Sequence, residues 1–233
     1  MQQTVPDRAD CLRRAAVAHC AARRPWRRPG VQSSRPCNED IVLTLDLNTR
    51  TGWPEDLRFL VDRYPRDTWQ AHGNLGSMAR FWLQRHDMFR ELGGMLKEGT
   101  HAFREGETSA DQFQAWLVPR LQFFLGQLHE HHNIEDHHYF PVFQAAEKRL
   151  ARGFDVLESD HETIHQALAA NADSANQLLG ALHKSGDARR FAADRYADVS
   201  DALLGQLMRH LNDEEDLIIP LILDRGEPAL GVG

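Results

Sequence analysis

The feature that most limits the fold of this chain is a motif that occurs twice. From His131 to Pro141 the sequence reads HHNIEDHHYFP, and from His210 to Pro220 it reads HLNDEEDLIIP. Both copies run His, three residues, Glu, an acidic residue, two residues, two apolar residues, Pro, and they lie 79 positions apart. The stretch before each copy also carries histidine: His86 before the first, His161 and His165 before the second. Residues four apart on a helix differ by about 40° around the axis and about 6 Å along it. His131 with Glu135, His210 with Glu214 and His161 with His165 therefore each aim a pair of donor groups at one point.

The sequence around these residues reads as helices. After a brief alternation over 41–47 (Leu43, Leu45, Leu47) and Gly52, the run Pro54, Glu55, Asp56 looks like a first helical turn, in a short helix that stops before Pro65. A long amphipathic pattern follows over 74–97, with Leu75, Met78, Phe81, Trp82, Met88, Phe89, Leu92 and Leu96, and is expected to end at Gly99. A second opens on the capping box Ser109 to Gln112 and runs to 147, with a kink expected at Pro119. The third spans 155–185, opening on Asp155 and Glu158, and the fourth spans 187–224, ending at Gly226. Short connections make an antiparallel up-down four-helix bundle the expected all-α architecture, with an N-terminal extension. The expected divisions are an Arg-rich disordered leader (1–40), an extended segment and short helix packed on the bundle (41–66), the bundle (67–226) and a tail (227–233).

Composition narrows the chemistry. The chain has 13 histidines against 11 phenylalanines in 233 residues, and a net charge of -7. That acidity lacks the basic footprint of a nucleic-acid binder. The apolar stretch Leu217 to Leu223 contains a proline and is about a third of a membrane span, so no membrane association is expected. Cys11, Cys20 and Cys37 all fall in the leader, so nothing in the body asks for an oxidising compartment, and a cytoplasmic location is expected. The body offers imidazole and carboxylate without thiolate, a donor set suited to iron or manganese, with zinc a further choice. Buried without a cation, these groups would be costly unpaired charges and dipoles. His86 completes the set in preference to His72, which lies fourteen residues away, about 21 Å along a helix. Five imidazoles (His86, His131, His161, His165, His210), two bridging carboxylates and a bridging hydroxide fill all but one position of two octahedra. The expectation is a pair of metals with one open position.

Arg85-His86-Asp87-Met88-Phe89, the two repeated motifs and the run from Asp160 to His165 together resemble the hemerythrin-like, or HHE cation-binding, family, over about residues 70–224. The resemblance implies a non-haem di-iron centre with a bridging hydroxide or oxide. By matching position its ligands would be His86, His131, Glu135, His161, His165, His210 and Glu214. It implies dioxygen, or a related small diatomic, at the open position, with one electron drawn from each iron. Binding or sensing is expected rather than catalysis, and no protein partner can be read from the sequence.

Oxygen-carrying members place an Asp five residues after the last-helix histidine, where this chain has Glu215. Helix geometry favours Glu214, because a residue five positions on lies about 140° away. Some members draw a ligand from the residue after the second-helix histidine, here His132, while His137 and His138 are expected outside the ligand set.

Two other chemistries fit parts of the sequence. His161-Glu162-x-x-His165 matches a zinc-peptidase motif with Glu162 as base, but Leu168 and Asn171 stand where an extended motif needs Gly and His. Glu135-x-x-His138 and Glu158-x-x-His161 match the Glu-x-x-His of ferritin-like di-iron oxidases and iron-handling proteins. They fall on adjacent helices, and the fourth helix has no counterpart.

Overall fold

The structure is a computed structural model that describes residues 45–184 and 186–232, and the leader with its three cysteines and Leu43 lies outside them. The described residues are all-helical, with no strand among them. A short helix, α1 (Glu55–Arg63), and a 3-10 turn (Arg66–Ala71) precede the long helix α2 (Ser77–Arg104). Next come α3 (Ala110–Ile134), a π turn (Glu135–Tyr139) and α4 (Phe140–Ala146). After a 3-10 turn (Lys148–Leu150), α5 (Ala151–Ala181), α6 (Asp187–Arg225) and the single-turn α7 (Glu227–Leu230) complete the chain.

Helix α2 runs past the glycine expected to stop it. Trp82, Phe89, Leu96 and Phe103 recur every seven residues on its buried face, and that burial carries the helix through Gly99. Gly99 serves as a point of close approach: a Cβ there would sit 2.2 Å from the Trp116 ring on α3. The start of α2 is capped from the far end of the chain, where the Glu227 carboxylate accepts the Ala79 N–H at 2.8 Å. A carboxylate there also complements the positive end of the helix. Residues Glu227 to Leu230, expected as tail, form the turn that delivers this cap, and Leu230 is buried.

The capping box of Ser109 and Gln112 forms as expected, and α3 continues through Pro119. Its ending was not foreseen. The Phe140 N–H bonds to the Glu135 carbonyl, five residues back. In a regular α-helix position 140 would point about 140° away from 135, and the extra residue of a π turn absorbs much of that difference. Glu135 and Phe140 are both buried as a result. The His137 Nδ1 donates to the Asn133 carbonyl at 2.7 Å, serving a backbone group inside the widened turn.

Before α5, Glu147 accepts hydrogen bonds from the Arg149 side chain at 2.8 Å and its backbone N–H at 3.2 Å, and from Arg225 on α6 at 2.9 Å. Arg149 in first place holds the Glu147 carboxyl down at about 2. A depressed carboxyl pKa stabilises the fold above the unfolded value of about 4.3 and ceases to do so as pH falls through the folded value. Glu147→Gln should therefore lower thermal stability at neutral pH and flatten its decline between about pH 4 and pH 2. Circular dichroism melts across that range check it; parallel acid profiles for variant and wild type would remove this role.

The long helices meet as α2 with α3, α3 with α5, α5 with α6, and α6 with α2. Their interior is divided in two. One apolar cluster includes Phe89, Phe103, Phe113, Phe124, Leu168, Leu178, Tyr196 and Leu207. The other includes Trp53, Leu57, Met78, Trp82, Phe140, Phe154, Ile218 and Ile222. Between them every long helix contributes buried polar residues: His86, then His131, His132 and Glu135, then Asp160 and His161, then His210, Asp213, Glu214 and Glu215.

Candidate metal centre

This polar layer holds two groups of donor atoms. His86, His131, Glu135 and Glu214 form one, and His132, His161 and His210 form the other, each with its donor atoms within 4.8 Å of one another. Two carboxylates straddle the groups. Glu135 places Oε1 3.0 Å from His131 Nε2 and Oε2 3.6 Å from His161 Nε2. Glu214 places Oε1 3.4 Å from His86 Nε2 and Oε2 3.1 Å from His210 Nε2. Each carboxylate thus turns one oxygen to each side.

Three imidazoles are aimed by a carboxylate behind them. Glu215 Oε1 lies 2.9 Å from His86 Nδ1, Asp136 Oδ1 lies 2.6 Å from His161 Nδ1, and Asp160 Oδ2 lies 3.3 Å from His210 Nδ1. With Nδ1–H donated backwards, each ring turns its Nε2 lone pair into the layer. His161 Nε2 and His210 Nε2 then face one another at 3.0 Å, an arrangement that needs a positive charge or a shared proton between them. The Trp82 indole N–H donates to Glu214 Oε1 at 2.7 Å. Phe89 lies 5.1 Å from the His131 ring and Phe140 lies 5.4 Å from the His161 ring, so aromatic side chains wall the layer above and below.

The donor set fits a cation. His86 Nε2, His131 Nε2, both nitrogens of His132, both oxygens of Glu135 and Glu214 Oε2 are buried and make no hydrogen bond. Each such group costs about 1–3 kcal/mol when left unpaired. The protonation pattern shows the same crowding. Burial, followed by the charge of neighbouring histidines, pushes His131 and His132 well below the ordinary imidazole range. Burial works against protonated His210 too, yet Asp160 and Glu214 outweigh it and hold it up at about 9. Burial and then the Glu214 charge push the Glu135 carboxyl well up, whereas burial of Glu214 is overcome by His86 and His210, which hold it well down.

The layer brings together six of the seven expected residues: His86, His131, Glu135, His161, His210 and Glu214. The seventh, His165, stands behind it. Its ring lies 4.9 Å from His129 and 5.3 Å from His132, and burial lowers it to about 4. His132 joins the layer instead, stacked on His161 at 4.0 Å with the rings 7° from parallel. The layer of carboxylates behind the imidazoles was not anticipated; for His161, the acidic residue after Glu135 in the repeat was its one visible sign. Glu162 is exposed and accepts from Gln166 at 3.1 Å, and Glu158 and His138 are exposed. The partial peptidase and ferritin-like motifs therefore do not converge on the layer.

The hemerythrin HHE cation-binding domain model matches residues 77–222, which include every residue of both groups. The chain belongs to that family. No match was found among curated proteins or among solved structures. The family assignment and the buried His/Glu groups together make this a hemerythrin-like cation-binding protein, and no helix of the described residues is long and apolar enough to cross a membrane.

Proposed function

We propose that this hemerythrin-like protein holds two non-haem irons and uses them to bind or sense dioxygen or another small diatomic. The observation that supports two ions is the placement of Glu135 and Glu214, each with one oxygen toward either imidazole group. His86 and His131 would hold one ion and His161 and His210 the other, with Glu135 and Glu214 shared between them. His132 joins the second side, with His165, an expected ligand, behind it. When bound, such a ferrous pair would supply two electrons to dioxygen, one per iron.

The protein residues do the rest. Glu215, Asp136 and Asp160 fix the tautomers of three imidazoles, the Trp82 N–H steadies Glu214, and Phe89 and Phe140 restrict water. The contacts also support an antiparallel up-down bundle over 67–226, with 45–66, the described part of the expected 41–66 segment, packed against it. Phe103 stacks on Phe113 beside the α2–α3 turn, whereas Phe89 meets Phe124 further from it. Arg104, at the end of α2, bonds Asp194 near the start of α6, whereas Trp82, near the start of α2, bonds Glu214 near the end of α6. With no cysteine in residues 41–233 to call for an oxidising compartment, a cytoplasmic location is part of the proposal.

Anaerobic loading with Fe(II), metal counting and an optical spectrum before and after admitting air test the proposal. Two irons per chain and a visible band that appears in air and disappears under vacuum are expected. One iron or none per chain would overturn the paired centre, and irreversible oxidation would overturn reversible binding.

A further inference from the structure

The family domain begins at residue 77, yet two arginines ahead of it reach the polar layer. Arg50 is buried, with its guanidinium fork set against Asp160: Nη1 donates to Oδ1 at 2.8 Å and Nη2 pairs with Oδ2. Its Nε donates to Asp213 Oδ2 at 2.7 Å and Nη1 also reaches the Leu45 carbonyl at 3.0 Å. Trp53 fastens the same segment, its indole N–H donating to the Asp213 carbonyl at 2.8 Å and its ring lying beside the Arg50 guanidinium. Asp160 is the carboxylate behind His210.

Arg66 makes a one-pronged counterpart at a second carboxylate of the centre, Glu215. Its Nη1 donates to Glu215 Oε2 at 2.7 Å, Nε to Asp216 Oδ1 at 2.8 Å and Nη2 to the Asn212 carbonyl at 2.7 Å. Glu215 is the carboxylate behind His86, and Arg90 steadies its other oxygen at 2.8 Å.

We infer that residues 45–72, outside the matched family domain, are a strap whose Arg50 and Arg66 are positioning residues for the metal centre, acting through Asp160 on His210 and through Glu215 on His86. The two-pronged Arg50–Asp160 contact fixes the plane of that carboxylate as well as its charge, while Arg66 and Arg90 hold one oxygen each of Glu215. A fixed carboxylate holds the imidazole N–H, and with it the direction of Nε2. Lysine, a single point charge, cannot set that plane. The inference rests on the proposed metal site and adds to it the part played by a segment that the family domain does not contain.

The test uses the full chain, Co(II) as the probe, and Arg50→Gln and Arg66→Gln. Competition titration should show Co(II) bound about 10–100-fold more weakly in each variant. In the NMR spectrum of the Co(II)-loaded protein, the far-shifted exchangeable Nδ1–H signal of His210 should be lost or broadened in Arg50→Gln, and that of His86 in Arg66→Gln. Metal-free helicity at low temperature should match wild type.

A strap that merely stabilises the fold would lower the melting temperature and leave affinity and shifted signals unchanged, which overturns the inference. Arg66 is the more exposed of the two, so its variant decides the matter if Arg50→Gln does not fold. A wild-type protein that binds no metal overturns the metal site and the strap's role together. A wild type that binds, beside two variants that bind as tightly, overturns the strap's role alone.

Discussion

Glu214→Ala is expected to abolish binding of both proposed metals at once. Glu214 is the carboxylate with one oxygen beside His86 and the other beside His210, and it also accepts the Trp82 indole N–H. Its removal takes a donor from each side and leaves three buried nitrogen groups facing a void. Breaking a buried charged pair by deleting one partner costs about 3–5 kcal/mol, so the metal-free melting temperature should fall as well. Glu215→Gln should behave differently. Glu215 touches the rear of His86 and two arginines, and its loss should weaken binding about 10–100-fold while leaving two metals bound at saturation. Metal counting and thermal melts of the two variants decide between the four-residue and five-residue spacings after His210. Full metal content in Glu214→Ala with none in Glu215→Gln would reassign the shared carboxylate.

Metal itself should be the largest single stabiliser of this fold. The layer crosses all four long helices, and a cation would give its unpaired atoms partners. A ligand that binds the folded state alone, at a thousandfold excess over its Kd, stabilises by about 4 kcal/mol. For a chain of this size that corresponds to a rise in melting temperature of roughly 8–16 °C. Fe(II) added anaerobically should produce this rise, and a chelator should reverse it. Identical melts with and without metal would mean that the layer is satisfied by protons alone.

What the sequence disclosed follows its periodicities. His131 with Glu135 and His210 with Glu214 sit four apart on regular helix, and the layer contains them. His161 with His165 obeys the same spacing, yet His132 from the facing helix joins the layer beside His161 and His165 does not. Spacing within one helix fixes a direction but not which of two facing side chains fills the gap. The π turn was not legible because its residues, Glu135 to Tyr139, continue a helical pattern; only the packing of Glu135 and Phe140 on one side requires the extra residue. Gly99 looked like a helix stop because glycine is common there, whereas Trp116 needs the space that glycine leaves. Arg50 lies 110 positions from Asp160 and Arg66 lies 149 from Glu215, and no local pattern links residues so far apart.

The two apolar clusters differ in how far along the chain their members are scattered. Phe103 and Phe113 flank one turn and Leu182 and Ala193 flank another, so much of the first cluster can be gathered by neighbours. The second joins Trp53 and Leu57 to Phe140, Phe154, Ile222 and Leu230, from opposite ends of the described chain. Loop-closure entropy therefore weighs more heavily on the second. The histidines and carboxylates lie along the frontier between a half of the interior with many partners close in sequence and a half that joins the first described helix to the last.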